Sequence, residues 1–283
     1  MNQKIAVVFF SGTHVTEEYA GTIRDELVRR GAGAQLVNAT AFSARTRPLA
    51  TDAWDAFLFG APVYADFPPS VLDEWIPAQQ GDGKPCAVFV TYGGRTSGHA
   101  PYHMFRMLTA AGFRVRLSAE FLGRHTFNLA GWTLMADRPN EADFAVAREY
   151  AAQAVARFDP SSKEAFSLQK TFGYDQAVEN RRGEPAPTER RWCQPVRWKE
   201  CSLCGRCAEE CPAQAMDLET GESDPKKCIE CLHCMYVCPE QALKADDRMR
   251  GFYPAFLKEW GMTEEILSRK QSKIIAAGHP AAS

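Results

Sequence analysis

The chain has 283 residues, 45% apolar and 24% charged, which is long for one compact domain and typical of a soluble globular protein. A net charge of −2 argues against nucleic acid or an anionic membrane as the main partner, and no apolar run approaches the length of a membrane span. The opening MNQKIAVVFF lacks the basic start, long apolar middle and cleavage site of a signal peptide, so the expected location is cytoplasmic.

Residues 1–160 alternate between two periods. Short continuous apolar runs at Ile5–Phe10, Phe57–Gly60 and Ala87–Val90 read as strands buried on both faces. Gln35–Val37 and the alternating stretch Val115–Phe121 add two more. Between them Val15, Tyr19, Ile23 and Leu27 repeat at helical spacing behind Glu17 and Glu18, and the helix ends at Arg29, Arg30 and Gly31. Met104, Met107, Leu108 and Ala111 form a second stripe, closed by Gly112. Phe144, Ala147, Ala151, Val155 and Phe158 form a third. Alternating strands and helices imply right-handed crossovers and a doubly wound α/β fold, with five parallel strands in the order 2-1-3-4-5 and ligands beyond their carboxyl ends.

The turn FFSGTHVTEEYA follows the first strand and opens the first helix, where backbone N–H groups favour an anion. Ser11, Thr13 and Thr16 add hydroxyls, although Ser and Thr also cap helices routinely. Two further loops leave the same sheet edge: GAPVYADFPP, carrying Tyr64, and TYGGRTSGHA, carrying Tyr92. No Walker motif and no G-x-G-x-x-G fingerprint is present. Cys86 reads as a buried thiol.

Residues 161–197, rich in Pro, Gly and mixed charge, read as a linker. Its Arg181, Arg182, Arg190 and Arg191 could meet an acidic partner, but a solvated linker is the expectation. Cys193 is out of register with the cysteines that follow and reads as a free thiol. Over residues 198–245, CSLCGRCAEECP and CIECLHCMYVCP each spell C-x2-C-x2-C-x3-C-P, every cysteine repeating after 27 residues. CPAQAM and CPEQAL extend the repeat, so this is an internal duplication whose halves should pack about a pseudo-twofold axis. In such runs three thiolates wrap one cubane while the proline turn carries the fourth to the other. Cys201, Cys204, Cys207 and Cys238 are therefore assigned to one 4Fe–4S cluster, and Cys228, Cys231, Cys234 and Cys211 to a second. Structural zinc pairs two C-x2-C hooks and has no use for eight cysteines in this register. Residues 246–283 read as a tail with a helix, over Phe252–Ile275, that packs back on one of the domains.

Residues 198–244 thus resemble the two-cluster bacterial ferredoxins, which implies a smaller α+β ferredoxin-like domain. Residues 1–160 resemble flavodoxins: SGTHVT fits the family's [ST]-x-T-G-x-T phosphate loop at Ser11, Thr13 and Thr16, departing at His14, where Gly is usual. APVY and TYGGRTSGHA resemble its two isoalloxazine loops. The resemblance implies FMN bound by Ser11, Thr13, His14, Val15, Thr16, Ala61, Pro62, Val63, Tyr64, Thr91, Tyr92, Gly93, Gly94 and His99. His14, His99 and His125 are candidate modulators of flavin protonation.

The whole chain looks like a fused flavodoxin–ferredoxin electron-transfer protein serving a redox protein partner or a small-molecule acceptor. One alternative is a reductase binding its substrate over the flavin, with Arg124 or His125 as proton donor in the long segment 122–139. The other is a cluster-binding adaptor without flavin. A homodimer could set one subunit's clusters over the other's flavin.

Overall fold

A computed structural model describes residues 3–159, 165–183, 193–245 and 247–275. In chain order the α/β part contains β1 (Lys4–Phe9), α1 (Val15–Arg29), β2 (Gly33–Asn38), β3 (Ala56–Pro62), β4 (Pro85–Tyr92), α2 (Ala100–Ala110), β5 (Arg114–Leu122) and α3 (Glu141–Arg157). There follow α4 (Tyr174–Gly183), β6 (Val196–Arg197), α5 (Arg206–Glu209), α6 (His233–Val237), β7 (Leu243–Lys244), α7 (Arg248–Glu259), α8 (Glu264–Ser268) and β8 (Lys273–Ile275). No helix among the described residues is long and apolar enough to cross a membrane.

The main sheet runs β2-β1-β3-β4-β5-β8. Its first five strands are parallel and stand in the flavodoxin-like order. The expected helices appear where the apolar stripes place them, and Gly31 and Gly112 take the left-handed φ values of 88° and 83° just beyond two of them. One face of the sheet packs Tyr19, Ile23 and Leu27 of α1 and Tyr150 of α3 onto Phe9, Phe89 and Phe121. The other packs Met104 and Leu108 of α2 onto Phe57, Phe59 and Phe113. No α-helix lies between β2 and β3 or between β3 and β4, so Leu72, Trp75 and Ile76 complete that second layer from a loop.

The sheet has six strands where five were expected. The tail returns as β8, antiparallel to β5, with Ala119 opposite Ile274. This covers the edge that β5 would otherwise expose. It also explains why the alternating stretch is buried throughout its later half: Glu120, 2% exposed, pairs with Lys273 Nζ at 3.0 Å and accepts from Ser97.

The tail is anchored through charge as well. Arg138 donates two hydrogen bonds to Asp143, which is 1% exposed, and Ser272 Oγ donates to Asp143 Oδ1 at 2.6 Å while accepting from Leu122 N at 2.9 Å. Desolvation pushes the Asp143 carboxyl up, but the hydrogen bonds from Arg138, Ser272 and the Asn140 backbone outweigh it and hold the group below its ordinary 3.8. A depressed folded value stabilises the fold above the unfolded pKa and loses that contribution as pH falls through the folded one. Asp143→Asn is therefore expected to lower the apparent Tm at pH 7 on the order of 10 °C, as befits a broken buried ion pair. The gap between variant and parent should narrow below about pH 4; a gap constant from pH 7 to pH 3 would refute the ionic account.

The segment read as a linker is not free of structure. Its helix α4 docks on the α/β part: Tyr174 OH meets His103 Nδ1 at 2.7 Å. Arg181 donates to Asp73 at 2.7 Å and to Pro68 O at 3.0 Å, with its guanidinium 4.7 Å from the centre of the Phe67 ring. Arg181 thus finds its acidic partner within this chain, and Arg182 remains exposed. Arg190 and Arg191 lie outside the described residues.

Candidate functional site

Because β1, β3, β4 and β5 are parallel, the loops that follow them leave one edge of the sheet. Together they line a cavity of about 710 Å³ where β1 and β3 diverge in connection, the usual ligand position in open α/β sheets. Ser11, Thr13, Val15 and Thr16 line it from the first loop. Pro62, Val63 and Tyr64 line it from the second, and Thr91, Tyr92, Gly93 and His99 from the third.

The first loop turns through His14, which has the left-handed φ of 66° that its place in the motif requires. The first-turn N–H groups of α1 have no partners within the helix. Ser11 is partly committed to capping, since its Oγ accepts from Glu17 N at 3.3 Å and its N–H donates to Thr40 Oγ1 at 2.9 Å. Thr16 Oγ1 lies 2.8 Å from Thr91 Oγ1 in a buried pair that ties the first loop to β4. If Thr91 donates, the Thr16 proton is left to point elsewhere.

Three residues expected in this set do not line the cavity. His14 stacks on Tyr236 with ring centres 4.1 Å apart and pairs with Glu17 at 2.9 Å, so it faces the cysteine-rich segment. Ala61 is fully buried in the α2 layer, where the strand's alternation puts it. Gly94 abuts Met135, which a Cβ there would approach to 2.7 Å.

Both residues expected as proton donors, Arg124 and His125, line the cavity. Burial, reinforced by Arg95, pushes His125 down to about 4, so its ring is neutral at ordinary pH. Its Nδ1 accepts from Phe127 N at 3.1 Å and its ring stacks on Trp132. Arg124 is paired with Glu18. His99 Nδ1 lies 2.5 Å from Thr171 Oγ1, and desolvation lowers its pKa as well.

The loop after β5 adds Gly123–Phe127, and further walls come from far along the chain: Ala177, Asn180 and Arg181 of α4, Lys226–Glu230, and Phe256 of α7. Nothing local in the sequence marks them, because only tertiary docking brings them here. Tyr64 sits where the walls meet. Its ring is half-buried and its hydroxyl fully buried without a hydrogen-bond partner. A Cβ built on Gly12 would lie 2.5 Å from that hydroxyl and 2.9 Å from Cys231 O. Only glycine lets the first loop and the cysteine-rich segment approach so closely.

The cysteine-rich segment repeats its backbone as well as its sequence. Left-handed φ values recur at Leu203 and Glu230, at Gly205 and Leu232, and at Gln214 and Gln241. Helices α5 and α6 occupy matching places, and β6 pairs antiparallel with β7 to close the unit. Cys201, Cys204, Cys207 and Cys238 ring one small cavity with Gly205, Leu218 and Pro239. Burial raises the Cys207 thiol, and Cys238 and Cys201 push it the same way. Burial likewise raises Cys231 to about 12 and Cys234 well above its ordinary value, with Cys228 and Cys211 among the groups adding to both. Backbone N–H groups face sulfur from Leu203 to Cys201 at 3.4 Å, Ala215 to Cys211 at 3.2 Å and Ala242 to Cys238 at 3.3 Å. Among the described residues no three His, Cys, Asp or Glu side chains converge on a single metal ion.

The two sets are placed differently. Cys204 is exposed, whereas Cys211, Cys231 and Cys234 are buried and Cys228 lines the large cavity. Cys86 and Cys193 are buried away from both sets' cavities.

Residues 196–249 match a family described as a 4Fe–4S dicluster domain. Among solved structures, a flavodoxin from the domain Archaea is 17% identical and aligns over 55% of this chain and 98% of its own, with a TM-score of 0.41. Flavodoxin 1 from Bacillus cereus is 17% identical over 54% of this chain and 97% of its own, with a TM-score of 0.41. Rubredoxin oxygen:oxidoreductase from Desulfovibrio gigas is 15% identical, with a TM-score of 0.38, over 55% of this chain and 37% of its own. No curated protein matches the sequence. The chain joins a flavodoxin-like α/β fold to a segment similar to a 4Fe–4S dicluster domain.

Proposed function

We propose that this chain is an electron-transfer iron–sulfur flavoprotein, with two 4Fe–4S clusters held in the crossed sets and FMN in the 710 Å³ cavity. The observation that carries this reading is the shared wall: Cys228 lines the cavity, and Cys231 O faces Gly12 of the first loop. The residues fit both groups. Each set offers four thiols with backbone N–H groups turned toward sulfur, and a bound metal holds such ligands as thiolates. For the flavin, the first-turn N–H groups with Thr13 and Thr16 would take the phosphate, and Tyr64 and Tyr92 would flank the ring.

Clusters exchange single electrons and a flavin holds one or two, so the pair converts between the two kinds of donor and acceptor. The chain's own residues supply placement and enclosure. Helix α4, the Lys226–Glu230 stretch and Phe256 form part of the cavity wall. The first set, with Cys204 exposed, is where a redox protein partner would engage. Joining both halves on one chain makes their exchange intramolecular.

The 710 Å³ cavity also supports a second reading, a reductase whose small substrate shares it with the flavin. Saturable turnover of a small acceptor, unmatched by free FMN, would support that reading.

The test is FMN released by acid, per chain, from protein purified without oxygen. About one equivalent is expected. A value near zero, with added FMN failing to bind, would overturn the flavin reading and leave a cluster-binding adaptor.

A further inference from the structure

Three contacts stitch the cysteine-rich segment to the α/β part beside the cavity. His233 Nδ1 donates to Gly12 O at 2.8 Å, in a buried position, with Glu210 3.9 Å from its Nε2. Arg45 bridges its own loop, through Ala39 O and Thr40 O, to Pro212 O. The Tyr236 ring lies against His14. Each of these residues neighbours a cysteine of the second set: Pro212 follows Cys211, His233 lies between Cys231 and Cys234, and Tyr236 is two residues beyond Cys234.

The same set anchors the Lys226–Glu230 wall, which begins two residues before Cys228 and runs through it. Lys226 and Lys227 are exposed and form no ion pair with any described residue. The first loop, which lines the same cavity, contains no Lys or Arg.

From these contacts we infer that the second cysteine set is part of the flavin site. Loading it fixes the wall and the lysines, His233 transmits that order to Gly12, and FMN binding and cluster loading are thereby coupled. The inference rests on the flavin reading above. Its physical basis is pre-organisation. Without a cluster, four thiols impose no geometry on residues 226–234, and a ligand entering the cavity must order them itself. By linkage, a loop ordered in advance by the cluster binds the ligand more tightly. His233 is a positioning residue here, acting through the first loop.

The experiment is an anaerobic FMN titration, read by quenching of flavin fluorescence, on the full chain in iron-loaded and iron-stripped forms. Iron-stripped protein should bind FMN about 10-fold or more weakly, within the usual range of coupling between sites. His233→Ala should keep its iron yet show a similar loss, while His233→Asn, which retains an N–H donor, should recover part of it. Equal FMN affinity with and without iron would overturn the coupling and leave the flavin reading intact. Full affinity in iron-replete His233→Ala would overturn the role of the residue. No FMN binding to any form would overturn the flavin reading, and the coupling with it.

Discussion

Cys238→Ala is expected to empty the first cysteine set and spare the motif in which it lies. In sequence Cys238 closes the second run, but in space it rings the cavity of Cys201, Cys204 and Cys207. Cys211 makes the reverse journey, adding to the raised pKa of Cys228, Cys231 and Cys234. The chain reverses at Pro212 and Pro239, so each run delivers its last cysteine to its twin. Iron per chain should fall by roughly half. The electron paramagnetic resonance spectrum of the reduced variant should match that of Cys204→Ala. A spectrum matching Cys234→Ala instead would mean that each run keeps its own cluster. Flavin should stay bound, because the first set makes no wall of the large cavity.

The second large effect is expected from the paired substitution Thr13→Ala/Thr16→Ala. Two hydroxyl hydrogen bonds to a charged phosphate contribute about 1.5–3 kcal/mol each. Losing both should weaken FMN by about 100-fold or more. Thr16 has a second task, the 2.8 Å bond to Thr91, so part of the loss reflects a loosened β4 junction. Iron content, set by residues far along the chain, should be unchanged. Unaltered flavin affinity would show that the loop only caps α1, as Ser11 does through Glu17 N.

What the sequence disclosed depended on how local the signal was. The five parallel strands and three long helices were legible because each is a short run with its own period and its own stop, such as Gly31 or Gly112. The duplicated cysteine runs were legible because covalent spacing alone aligns them. His14 stood out in the sequence as the place where the motif departs from Gly, yet its ring turns to Tyr236, which no spacing between residues 14 and 236 could reveal. The sixth strand was hidden because Lys273–Ile275 is three residues long, too short for a period and dependent on Ser272 reaching Asp143. Helix α4 was hidden because its polar surface is that of a linker. Tyr174 and Arg181 hold it in place, and their partners His103, Asp73 and Phe67 lie far back in the chain.

The position of β8 has a consequence for the order in which the molecule is made. The α/β sheet cannot seal its rim until residue 275 has been synthesised, after every cysteine of the duplicated runs. A nascent chain therefore carries an open β5 edge, and an Asp143 without Ser272, throughout the time its iron sites are being translated. Expressing the α/β half without the second half would leave that unfinished state. Fusion here is thus more than tethering: the second half is bracketed between the sheet and its last strand.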